Sequence, residues 1–86
     1  LPKAAAAPEA EVAEQVEVAV AQDGTYYLDG AAVELQPLAE RLAVLSPRTA
    51  VILRVDAKAQ FEWFVAVVDL LKARGLQRVS ILTQAQ

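Results

Sequence analysis

Ala50-Val51-Ile52-Leu53-Arg54-Val55-Asp56 decides the fold: an apolar run broken only by Arg54 and closed by a carboxylate. A strand with apolar neighbours on both sides expects cover on both faces or an interior place in its sheet. After it come a helical pattern from Phe61 to Lys72, a glycine at position 75 and a second strand pattern from Val79 to Leu82. Parallel neighbours cannot be joined by a tight hairpin, so strand, helix, strand in this order reads as a parallel crossover.

Upstream, Val16, Val18 and Val20 alternate with Glu17, Ala19 and Ala21, the period of a strand with one buried face. Gln22-Asp23-Gly24-Thr25 reads as a turn, and Thr25 to Leu28 as a strand returning antiparallel. Asp29-Gly30 makes a second tight turn before a short strand at Ala31 to Val33. Leu35, Leu38, Leu42 and Leu45 then form one stripe of an amphipathic helix. Pro37 falls in its first turn, where a missing N–H costs nothing, and Ser46-Pro47 ends it. The fold class is therefore α/β in the two-layer α+β sense, a small mixed sheet of four to five strands with two helices on one face.

The second helix carries more apolar surface than one sheet can cover. Phe61, Phe64, Val65, Val68 and Leu71 cluster on one side, and Trp63, Val67 and Leu70 widen the arc past half the circumference. Either the first helix packs alongside, or a second copy or a partner protein covers the excess. Trp63 and Leu70 are the candidate contact residues. Lys72 and Arg74 suit a helix C-terminus, and Gly75 suits the left-handed residue just beyond it.

Composition removes several classes of function. The chain has 86 residues, enough for one domain and one core, and neither Cys nor His. Thiolate metal sites, disulfides and the commonest general bases are thus absent, and the expectation is a non-enzyme without cofactor or metal. Ser46 and Ser80 have no base to activate them. A net charge of -3 argues against a nucleic-acid partner, which needs a clustered basic face. No apolar run reaches the length of a membrane span, and no signal peptide is visible. The first residue is Leu rather than Met, so the chain reads as an excised piece.

Residues 1–15, LPKAAAAPEAEVAEQ, hold almost no large apolar side chain and read as a flexible linker, with the folded domain at 16–86. Such a linker spans roughly 20 Å root-mean-square. A first strand that follows a linker is expected at an open sheet edge, ready to take an extended segment of another chain or to exchange with a second copy. Val16, Val18 and Val20 are therefore the candidate partner-binding strand. Asp56, at the carboxyl end of its strand, has two readings: a ligand contact at the mouth of an α/β sheet, or a carboxylate that orients a turn before a helix. Tyr26 and Tyr27 should point to opposite faces, one core and one exposed.

The ordered series Leu1-Pro2-Lys3-Ala4, the Ala/Pro/Glu linker, the Val-rich strand, the Tyr-bearing strand, Val55-Asp56 with an aromatic five residues later, Val67-Val68-Asp69, Lys72-Ala73-Arg74-Gly75-Leu76 and Val79-Ser80-Ile81-Leu82-Thr83 resembles the ExbD/TolR family over essentially the whole chain. Two positions depart from the pattern: Ala57 rather than Lys follows Asp56, and Phe61 stands where many relatives have Tyr. The resemblance implies the periplasmic part of a single-pass inner-membrane subunit of a proton-driven motor, following a membrane helix that carries the proton-bearing Asp. It implies a homodimer working with an ExbB-like or TolQ-like membrane subunit and a TonB-like or TolA-like periplasmic segment, without catalysis of its own. An ExbD-type role in TonB-dependent transport is the leading expectation. A TolR-type role in envelope integrity, with peptidoglycan bound in a polar groove near Arg54 and Asp56, is the alternative.

Overall fold

The computed structural model describes residues 14–84. Within them lie β1 (Gln15–Val20), β2 (Tyr26–Leu28), β3 (Ala31–Val33), α1 (Leu35–Ala43), β4 (Ala50–Asp56), α2 (Phe61–Ala73) and β5 (Arg78–Gln84). The sheet has five strands in the order β3-β2-β1-β4-β5. β1 pairs antiparallel with β2 and parallel with β4, and β5 runs parallel to β4 on its far side. The α+β class, the mixed sheet and the element order follow the sequence pattern. Of the segment read as a linker, residues 1–13 lie outside the described residues, and Gln15 already belongs to β1.

The registers sort each strand into two faces. Val18 sits opposite Leu28 on one side and Leu53 on the other, and Val51, Leu53 and Val55 align with Val79, Ile81 and Thr83. On that face Val18, Val20, Leu28, Val51, Leu53 and Val55 are buried and join Leu38 and Leu42 of α1, Val67 and Leu71 of α2, and Leu76 in one core. Burying each such side chain contributes about 1.5–3 kcal/mol. The opposite face holds Glu17, Tyr27, Ile52, Arg54, Ser80 and Leu82, and none of these is buried.

The connections form for local reasons. Asp29 at φ 51 and Gly30 at φ 89 give both central residues of the β2–β3 turn the left-handed backbone that matches strand twist. Asp29 also mates with β1, donating its N–H to the Glu17 carbonyl at 2.8 Å and accepting the Glu17 N–H on Oδ1 at 2.9 Å. α2 ends in a two-bond cap: Gly75, at φ 75, donates to the Lys72 carbonyl and Leu76 to the Leu71 carbonyl, both at 3.0 Å. Leu76, buried just after that turn, anchors the chain as it enters β5.

One expectation is overturned. Val16, Val18 and Val20 lie in the central strand of the sheet, hydrogen-bonded on both sides, so their backbone is unavailable to a partner. Position in the chain does not set position in a sheet. The β1–β2 hairpin occupies one side of β1, and the crossover through α1 delivers β4 to the other.

Candidate interaction site at the free sheet edge

Moving β1 to the centre leaves two sheet edges, β3 and β5. β3 is three residues long, whereas β5 runs for seven, Arg-Val-Ser-Ile-Leu-Thr-Gln. Long exposed edges are the ones that template pairing with another chain. The Ala57 N–H donates to the Gln84 carbonyl at 2.8 Å, so Gln84 points its peptide groups at β4. Alternation along an extended strand then directs Arg78, Ser80 and Leu82 the same way, and turns the N–H and C=O of Val79, Ile81 and Thr83 outward. Among the described residues no strand takes up those outward groups.

The side chains beside this edge are apolar and exposed. Ile81 is 52% and Leu82 44% exposed, on opposite faces of β5. A groove of about 510 Å³ runs between α2 and β5, lined by Val68, Leu71, Lys72, Leu76, Val79 and Ile81. Phe61, at the start of α2, is 74% exposed and contacts the Phe64 ring at a centroid distance of 5.7 Å. An added strand would find backbone partners on β5 and apolar cover for every second side chain.

Trp63 and Leu70 are half-buried and pack against the core. The Trp63 indole covers the Gly24 turn, where a Cβ would lie 3.0 Å from two ring atoms. The surplus apolar surface of α2 surfaces instead at Phe61, toward the start of the helix. Tyr26 packs against the core, its hydroxyl reaching the Trp63 carbonyl at 3.5 Å, and burial, with the Glu62 charge adding, pushes its pKa up. Tyr27 lies on the other face and is half-buried.

Asp56 serves a turn. Its Oδ1 accepts the Lys58 N–H at 2.8 Å, and its carbonyl accepts the Ala59 N–H at 2.9 Å. It also borders a shallow recess of about 180 Å³ with Tyr27, Arg54 and Gln84, and the Arg54 guanidinium there is paired with Glu17. Both partners of that pair are about two-fifths exposed, so solvent screens it to a minor stability contribution. Among the described residues no cluster of acids is suited to hold a metal ion, and no helix is long and apolar enough to cross a membrane.

The β5 edge is the part of the site that sequence reasoning missed. The signal was present, because in a β1-β4-β5 parallel series the last strand delivered is the outermost unless a later element covers it.

A protein-family profile described as "Biopolymer transport protein ExbD/TolR" matches residues 1–86. The chain is 30% identical over 70 residues to a "Putative biopolymer transport protein ExbD-like 2" of Helicobacter pylori (strain ATCC 700392 / 26695), covering 81% of this chain and 53% of the relative. It is also 30% identical over 71 residues to a "Biopolymer transport protein ExbD" of the same strain, covering 83% of this chain and 55% of that protein. The chain thus spans about half the length of the curated relatives it matches.

Proposed function

This chain belongs to the ExbD/TolR family of biopolymer transport proteins, and from that premise we propose that it is the periplasmic interaction domain of an ExbD-type subunit in a proton-driven inner-membrane motor. In this role it catalyses nothing. It pairs with a second copy of itself, works beside an ExbB-like membrane subunit, and engages a TonB-like periplasmic segment that carries energy to the outer membrane. Residues 1–13 act as the tether between the domain and a preceding membrane helix, giving it a search radius of roughly 20 Å.

The observation that carries this reading is the free β5 edge, with outward peptide groups at Val79, Ile81 and Thr83 and the apolar α2–β5 groove beside it. Sheet-edge recognition is retained from the sequence reading, but its strand is β5 rather than β1.

Ile81→Pro tests it. Proline there removes an edge donor without breaking a bond to β4, because the Ile81 N–H faces outward. The expected outcome is loss of self-association in sedimentation and of binding to a TonB-type periplasmic segment in calorimetry, with the circular dichroism spectrum preserved. Undiminished binding in that folded variant would remove β5 as the recognition strand.

The recess bordered by Tyr27, Arg54, Asp56 and Gln84 favours a second reading, a TolR-type subunit paired with TolQ-like and TolA-like partners and holding peptidoglycan there. An aromatic ring beside charged groups suits a sugar bearing carboxylates. Co-sedimentation with purified peptidoglycan, lost on Tyr27→Ala, separates it from the first.

A further inference from the structure

Positive charge gathers at one pole of the domain, where β1, β4 and β5 begin and both helices end. Arg41 lies in the last turn of α1, Lys72 in the last turn of α2, and Arg74 caps α2. Arg78 opens β5 opposite Ala50, and its guanidinium donates to the Arg48 carbonyl at 3.2 Å. Among the described residues the remaining Lys and Arg, Arg54 and Lys58, lie elsewhere. Among the described residues the acids at this pole sit on the α1 flank: Glu14 and Asp29 line a recess with Arg41, and Glu40 precedes it. On the α2–β5 flank stand Lys72, Arg74 and Arg78, with Asp69 about one helical turn above. The opposite pole carries Asp23, Glu34, Asp56 and Glu62 against Lys58.

A second feature shares the pole. Val44, the C-cap of α1, is 82% exposed, more than any other large hydrophobic residue of the described chain, and it lies between Arg41 and Arg48 in sequence. Cations near helix C-termini offset the helix dipole, which accounts for Arg41 and Lys72. It does not account for Arg78 at the entrance of β5, nor for a bare valine after Arg41. An exposed apolar side chain flanked by long cationic ones is the chemistry that meets a lipid interface, phosphates outside and hydrocarbon just beneath.

We propose that this pole docks on an anionic phospholipid surface, with Val44 entering the headgroup layer and Arg41, Lys72, Arg74 and Arg78 meeting lipid phosphates. The inference rests on the reading that residues 1–13, which join β1 at this pole, lead back to a bilayer. Each cation held near such a surface adds about 1 kcal/mol, screened over a Debye length. The docked domain lies against the membrane with its acidic pole outward. A charged polysaccharide would satisfy the arginines but would leave Val44 in water.

The chain contains no Cys, so Val44→Cys accepts a single environment-sensitive fluorophore, and Phe61→Cys places the same probe at the opposite pole. The labelled proteins are titrated with vesicles of phosphatidylcholine alone and of phosphatidylcholine mixed with phosphatidylglycerol. Expected is a blue shift at position 44 with the mixed vesicles only, reversed by salt and absent at position 61. Arg74→Glu with Arg78→Glu should weaken it about tenfold or more, since two charges near the surface change sign. No shift at position 44, an equal shift at both positions, or an equal response to neutral vesicles would overturn the proposal. So would binding to dextran sulfate as tight as to the mixed vesicles with the probe unshifted. Loss of the vesicle response while Ile81→Pro still abolishes edge binding removes this inference and leaves the proposed function standing.

Discussion

Val18→Pro separates a central β1 from an edge β1 most sharply. The Ala50 N–H donates to the Glu14 carbonyl at 2.8 Å, so alternation directs Glu14, Val16, Val18 and Val20 toward β4 and Glu17 toward β2, where Asp29 meets it. Proline at 18 therefore deletes a donor into β4 and leaves a buried carbonyl unmated, costing about 1–3 kcal/mol. Its ring holds φ near -65° where a parallel strand prefers about -120°, and the fully buried Val18 loses packing, adding roughly 2 kcal/mol. The total is about 3–5 kcal/mol. A domain of about seventy residues has roughly 4–10 kcal/mol of stability, so the substitution removes about a third of it or more. Ile81→Pro, by contrast, leaves every bond to β4 in place and costs about 1 kcal/mol. Urea unfolding followed by far-ultraviolet circular dichroism reads both midpoints. If Val18→Pro kept a native midpoint and lost only partner binding, β1 would be an edge strand and the topology described here would be wrong.

Gly24 and Gly30 both hold positive φ, 93° and 89°, but a Cβ on Gly24 would meet the Trp63 ring and one on Gly30 would meet nothing within 4 Å. Gly30→Ala should cost about 1–2 kcal/mol for the backbone alone. Gly24→Ala should cost about 2–4 kcal/mol, with altered emission from Trp63, and equal urea midpoints for the two variants would contradict the indole contact. Thr49 is fully buried with its hydroxyl unpartnered, so Thr49→Val should leave stability unchanged or raise it by about 1 kcal/mol in thermal unfolding, and a drop of that size would mean that the hydroxyl has a partner.

Local chemistry made most elements legible. Gly75 closes α2 because the left-handed residue after a helix favours glycine, and Asp29-Gly30 makes the hairpin because both residues tolerate positive φ. Leu38 and Leu42 are buried as their spacing requires. The interaction site was harder to read, because it depends on which strand is left without a neighbour. Val16, Val18 and Val20 look the same in a central strand with one covered face as in an edge strand, since alternation reports faces and not edges. Trp63 reads as surplus until the Gly24 turn is seen beneath its ring.

The amino-acid order by itself determined the elements, their turns, the buried side of β1 and the family resemblance, because each depends on neighbours within a few residues or on a pattern along the chain. Tertiary structure alone decided that β1 lies inside and β5 outside. Strand neighbours are chosen by where the crossovers through α1 and α2 deliver β4 and β5, and that choice is made between segments tens of residues apart. The unmated peptide groups follow from it, and with them the surface that another polypeptide can join.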